Sequence, residues 1–97
     1  MGCDKNDLSF KGNLNISFYN HPSDLKVLIY SMDNKEIPIY EASPRENGLL
    51  TLPLNIGNYI IKPYTNSKYY QELGFQIMQN KSTSITYNEI NEGILNE

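Results

Sequence analysis

The chain has 97 residues, of which 39% are hydrophobic, and a formal net charge of −3. That length suits one domain able to bury a core without disulfide staples, and the single alanine, Ala42, speaks against a helical bundle. An acidic balance with one arginine, Arg45, excludes a phosphate-tracking nucleic-acid surface. One cysteine excludes an internal disulfide, and no apolar run has the length of a membrane-spanning helix.

The chain opens Met1-Gly2-Cys3-Asp4. A small residue before a cysteine, followed by a polar stretch, resembles the end of a bacterial lipoprotein signal peptide. The resemblance implies that Cys3 carries a lipid anchor, that residues 1–7 form a polar tether, and that the protein belongs to the cell envelope, at the outer membrane or cell surface. A free thiol on an N-terminal tail is the plainer reading. N-myristoylation at Gly2 requires Ser or Thr at position 6, where Asn6 stands.

From residue 8 the pattern alternates. Leu14, Ile16 and Phe18 share one face, with Asn13, Asn15 and Ser17 between them, which predicts a half-buried strand. Asn20-His21-Pro22-Ser23-Asp24 is a dense turn cluster. Residues 25–31 are apolar on both faces, Val27 and Ile29 against Leu28 and Tyr30, which predicts a central strand. After the break at Asp33-Asn34-Lys35, residues 36–41 resume alternation, and Pro38 demotes them to an edge strand.

A loop over residues 43–48 leads to Leu50, Leu52 and Leu54, which alternate with Thr51 and Pro53. Residues 55–58 turn the chain into a strand over 59–64, and residues 65–68 form another polar loop. Phe75 and Ile77 mark the next strand, and Thr83, Ile85 and Tyr87 share a face in the one after. About seven short strands at roughly ten-residue spacing predict an all-β antiparallel sandwich over residues 8–88. Ile90, Ile94 and Leu95 leave residues 89–97 as a tail that is one helical turn, an extra strand or a frayed end.

One stretch carries a more specific pattern. Gly48 precedes the alternating Leu50, Leu52 and Leu54; Leu52-Pro53 precedes a short turn; Gly57-Asn58-Tyr59 opens another alternating strand. This resembles the carboxypeptidase regulatory-like domain of the prealbumin (transthyretin)-like sandwich type, most closely over residues 47–87. The family's opening Gly-x-Pro-Leu-x-Gly-Ala pattern is absent, so an immunoglobulin-like Greek key stays open for the first half. The resemblance implies a structural turn in which Gly57 takes an unusual backbone conformation and Tyr59 folds its ring under the loop to bond backbone. It also implies a non-catalytic module for docking or surface display.

Catalytic and metal chemistry find few residues. His21 is the only histidine, so a Cys3/His21 dyad is the sole nucleophile-and-base pairing, and an exposed turn histidine is the ordinary alternative. No set of residues suits zinc, and no Gly-x-Ser-x-Gly elbow, calcium loop or phosphate-cradling glycine motif is present. Glu36, Glu41, Glu46 and Glu72 flank strands, where solvated charge is the ordinary role. Asn15-Ile16-Ser17 and Asn80-Lys81-Ser82 match the glycosylation pattern by chance. The reading is therefore no enzyme, no cofactor and no metal.

Tyr64, Tyr69 and Tyr70 gather around one loop with Asn66 and Lys68 between them. Rings beside amides suit stacking on sugars or contact with a protein partner, whereas half-buried strand tyrosines are the plainer reading. Tyr19, Tyr30, Tyr40 and Tyr59 fall inside strand patterns and read as structural. The expected function is a non-catalytic cell-envelope module with a protein or glycan partner. The alternative is a small carbohydrate-binding module using the tyrosine-rich loop. The expected membrane contact is through lipid on Cys3 alone.

Overall fold

Alternating side chains make strands here because each strand has one apolar face to bury. The computed structural model describes residues 10–96, in eight strands. They are β1 (Lys11–Phe18), β2 (Lys26–Ser31), β3 (Tyr40–Ala42), β4 (Leu49–Asn55), β5 (Gly57–Tyr64), β6 (Leu73–Ile77), β7 (Ser82–Tyr87) and β8 (Gly93–Asn96). They form two four-stranded sheets, ordered β4-β1-β7-β8 and β3-β2-β5-β6. The protein is an all-β sandwich.

Three expectations are corrected. There are eight strands rather than seven, because Gly93–Asn96 pairs antiparallel with β7 and covers its edge. The sandwich therefore extends to Asn96, and the extra strand is the form taken by the tail. The sheets are not wholly antiparallel: β1 and β7 run parallel, from Asn13 beside Ser82 to Phe18 beside Tyr87. Residues 36–39 form no strand; β3 is only Tyr40–Ala42. Pro38 has no N–H for a ladder, and Ile37 and Ile39 stay exposed. The tether over residues 1–7, with Cys3, lies outside the described residues.

The core lies between the sheets. One sheet contributes Leu14, Ile16, Phe18, Leu52, Leu54, Ile85 and Tyr87; the other contributes Val27, Ile29, Tyr59, Ile61, Phe75 and Ile77. At one end Phe18 stacks on Tyr87 with centroids 5.0 Å apart, and Tyr70 meets both rings edge-on at 5.6 and 5.7 Å. Buried hydroxyls tie the layers together. Thr83 Oγ1 donates to the Gln76 carbonyl at 2.9 Å and Tyr87 Oη to the Gln71 carbonyl at 2.8 Å. Such bonds avoid the cost of burying an unpaired polar group.

The strand directions give the sandwich two distinct ends. Odd-numbered strands start, and even-numbered strands finish, at the end holding Phe10, residues 32–39, Ile56 and residues 78–81. The opposite end holds loops 19–25, 43–48, 65–72 and 88–92. Gly12 sets the first end. A Cβ there would lie 2.3 Å from the Met78 carbonyl oxygen and 2.8 Å from that of Lys81, so only glycine lets the β6–β7 turn lie against β1.

Candidate functional site

Loop 65–72 joins β5 to β6 and is pinned from below. The Asp24 carboxylate accepts from Thr65 Oγ1 at 2.5 Å and from the Asn66 N–H at 3.1 Å. The Thr65 hydroxyl first, then the Asn66 N–H, hold the Asp24 carboxyl below its ordinary range, because both bonds favour the charged form. Lys68 Nζ donates to the Asn20 carbonyl at 3.3 Å. Thus the β1–β2 loop, a turn cluster by composition, serves as the footing for the tyrosine loop.

On that footing Tyr64 and Tyr69 are paired by an isolated β-bridge, with 58% and 79% of their surface exposed. Tyr64 Oη donates to Asn66 Oδ1 at 3.1 Å, which fixes its ring. Both tyrosines line a cleft of about 290 Å³ with Leu28, Lys62, Lys68 and Glu72. Lys62 Nζ stands 4.0 Å from the Glu72 carboxylate and 4.8 Å from the Tyr30 ring centroid, a cation–π contact. The cleft thus offers two phenol rings, two ammonium groups and one carboxylate. It can stack on a flat apolar face and hydrogen-bond around its rim.

Tyr70 also borders the cleft, but its ring is turned inward. It is 2% exposed and packs into the core against Phe18 and Tyr87, so its ring is not available to a ligand. Neighbouring residues of an extended chain point to opposite sides, which separates Tyr69 from Tyr70. Burial raises the Tyr70 phenol, whose oxygen has no hydrogen-bond partner among the described residues. Of the four tyrosines assigned to strand structure, Tyr19 lies just beyond β1, whereas Tyr40 opens β3 opposite Ile29. Tyr19 and Tyr40 are exposed, Tyr19 at the same end as the cleft, while Tyr30 is half-buried and Tyr59 is core. For Tyr19 the signal is its place after inward-facing Phe18 and directly before the turn cluster at residues 20–24.

Gly57 and Tyr59 build a corner at the other end. One residue, Ile56, carries the chain from β4 in one sheet to β5 in the other. Gly57 has φ 155°, a value that side chains rarely adopt, and Tyr59 Oη reaches back to the Asn55 carbonyl at 2.6 Å. The Tyr59 ring stacks on Phe75 with centroids 5.6 Å apart.

The remaining candidates lie apart from the cleft. The two His21 ring nitrogens lie 2.9 Å from the Arg45 carbonyl oxygen and 3.0 Å from that of Pro22, which joins loops 19–25 and 43–48. Its dyad partner Cys3 is outside the described residues. Glu41 pairs with Lys26 at 3.3 Å, and Glu36 and Glu46 lie exposed in loops. Among the described residues no three His, Cys, Asp or Glu side chains converge as metal ligands. A groove of about 320 Å³ crosses the outer face of the other sheet, between Asn15, Ser17, Thr51, Ser84 and Thr86. Its lining has no charge and no aromatic ring, so the tyrosine cleft is the richer site.

No family model matches the chain, and no curated protein matches it. Among solved structures, the Bacillus anthracis TIE protein is similar over 79% of this chain, with a TM-score of 0.65 and 20% sequence identity. At that identity the likeness concerns the fold alone. The match covers 15% of that protein's chain, so a sandwich of this kind is a small part of the longer neighbour.

Proposed function

We propose that this chain is a non-catalytic module of the bacterial cell envelope that presents the Tyr64/Tyr69 cleft to a protein or glycan partner. One observation carries the reading. Two largely exposed tyrosines, paired through their backbones, line one cleft on a loop held in place by Asp24. Exposed aromatic side chains on a pinned loop lose little entropy on binding, which is how contact residues usually operate. The Met1-Gly2-Cys3-Asp4 opening supports the envelope and a lipid anchor at Cys3. The Gly57–Tyr59 corner and the two four-stranded sheets support the prealbumin-like type. The neighbour in which this fold occupies 15% of the chain supports a modular role.

A glycan partner is favoured over a protein by the rim of the cleft. Lys62, Lys68 and Glu72 surround the exposed rings with donors and acceptors suited to sugar hydroxyls. Binding of the full chain to a broad glycan array, abolished by Tyr64→Ala with Tyr69→Ala, tests this. Silence across the array argues for a protein partner; array binding that survives both substitutions removes the cleft from the account.

A further inference from the structure

The two ends of the sandwich differ in chemistry. At the end where β1 begins, Phe10 and Ile56 are 53% and 44% exposed. They are neighbours, since the Ile56 N–H donates to the Phe10 carbonyl at 2.9 Å. Ile56 also shares one cavity with Met32 and another with Met78, so the apolar tip continues on both sides.

Beside this tip lie two lysines. Lys11 and Lys81 line one cavity of about 340 Å³, although 70 positions separate them in sequence. The turn brings them together: the Asn80 N–H donates to the Lys11 carbonyl and the Asn13 N–H to the Lys81 carbonyl, each at 2.9 Å. Gly12 is what permits this approach. Neither lysine has a carboxylate within ion-pair distance among the described residues.

Charge is divided along the strands. Among the described residues, this end carries Lys11, Lys35 and Lys81 against Asp33 and Glu36. The opposite end carries Arg45 and Lys68 against Asp24, Glu46, Glu72, Glu89 and Glu92. Among the described residues, the acid is concentrated at the tyrosine end.

We propose that the Phe10/Ile56 tip, with Lys11 and Lys81, is a contact face for an anionic bilayer. The apolar side chains enter the headgroup layer, and the two ammonium groups meet lipid phosphates. Apolar insertion combined with cations is the chemistry by which peripheral proteins hold such surfaces. Two lysines beside a phenyl ring and an aliphatic tip are too few to track a nucleic-acid backbone. The same surface repels the acidic end, so contact also sets orientation and turns Tyr64 and Tyr69 away from the membrane. The proposal depends neither on lipid at Cys3 nor on the tyrosine cleft.

The chain contains no tryptophan, so Phe10→Trp places a single reporter at the tip. The test is sedimentation of the full, unlipidated chain with phosphatidylglycerol vesicles and with phosphatidylcholine vesicles at low salt, alongside the emission of F10W. The expected result is binding to the anionic vesicles only, a blue shift of F10W emission on binding, and loss of binding at high salt. K11E/K81E is expected to weaken binding by at least about tenfold, and I56S to abolish the blue shift of F10W. A tryptophan placed by Tyr69→Trp at the far end is expected to stay unshifted. Equal binding to both vesicle types, no binding to either, or a shift at Tyr69→Trp in place of F10W overturns the proposal.

Discussion

The Thr65 hydroxyl donates to the Asp24 carboxylate at 2.5 Å across 41 positions of chain. This bond fastens the tyrosine loop to the turn that follows β1, and the Asn66 N–H adds a second bond to the same carboxylate. A loop fastened in part through a carboxylate responds to acid. The Asp24 carboxyl sits below its ordinary value of 3.8, so its contribution is present above that value and is lost as pH falls through the depressed one. Thermal melts of wild type and Asp24→Asn are expected to differ at neutral pH and to converge below pH 3.8. A constant gap across that window contradicts the role assigned to Asp24.

Alkali acts through the aromatic core. Burial first, and the Glu72 carboxylate second, push the Tyr87 phenol up from its ordinary value near 10. A raised folded value means that stability is full below pH 10 and declines as pH rises above it. Tyr87→Phe leaves the Gln71 carbonyl without its donor and is expected to cost about 1–3 kcal/mol near neutral pH. In exchange, its stability is expected to fall less steeply above pH about 10. Denaturant melts at neutral and alkaline pH measure both effects.

The glycines make a paired prediction. Gly12→Ala places a Cβ against the Met78 and Lys81 carbonyls and is expected to destabilise by about 1–3 kcal/mol. At Gly57 the surroundings have room, with the Tyr59 ring 3.7 Å from the added carbon. Its cost comes from φ 155°, so Gly57→Ala is expected to lose about 1 kcal/mol or more through backbone strain. Gly12→Ala is additionally expected to shift the amide resonances of residues 78–81, and Gly57→Ala those of the β4–β5 corner.

Removing residues 89–97 strips β8 from β7. The uncovered edge from Ser84 to Tyr87 then has unpaired backbone groups. The truncated chain is expected to melt at lower temperature and to self-associate, as light scattering would register. Unchanged stability and mass would show that β8 is dispensable.

The strands most legible in the sequence are those with one buried face. β1, β4 and β7 alternate as read, and the two-sided apolar character of β2 matches its place between β3 and β5. Around Pro38 the alternation misleads, because period two reports side-chain facing and not backbone pairing. β8 has only four residues, and neither Ile94 nor Leu95 is buried, so no periodic signal marks it. The parallel pairing of β1 with β7 is a long-range choice that no local pattern records. At the site, Tyr64 and Tyr69 emerge from their crowding around one loop; adjacency implies that Tyr69 and Tyr70 face opposite ways but does not say which of them is buried. The pin from Asp24 and the meeting of Lys11 with Lys81 depend on chain segments far apart, and composition carries no trace of either.

The central claim is that Tyr64 and Tyr69 present a contact surface and are not support for the fold. Fluorescently labelled full chain, titrated onto purified envelope polysaccharide and onto intact envelope fragments, tests this most directly against Tyr64→Ala with Tyr69→Ala. The account predicts an unchanged melting temperature and binding weaker by about 2 kcal/mol or more for the double variant. Equal binding by both chains, or a double variant that loses its fold, would contradict it.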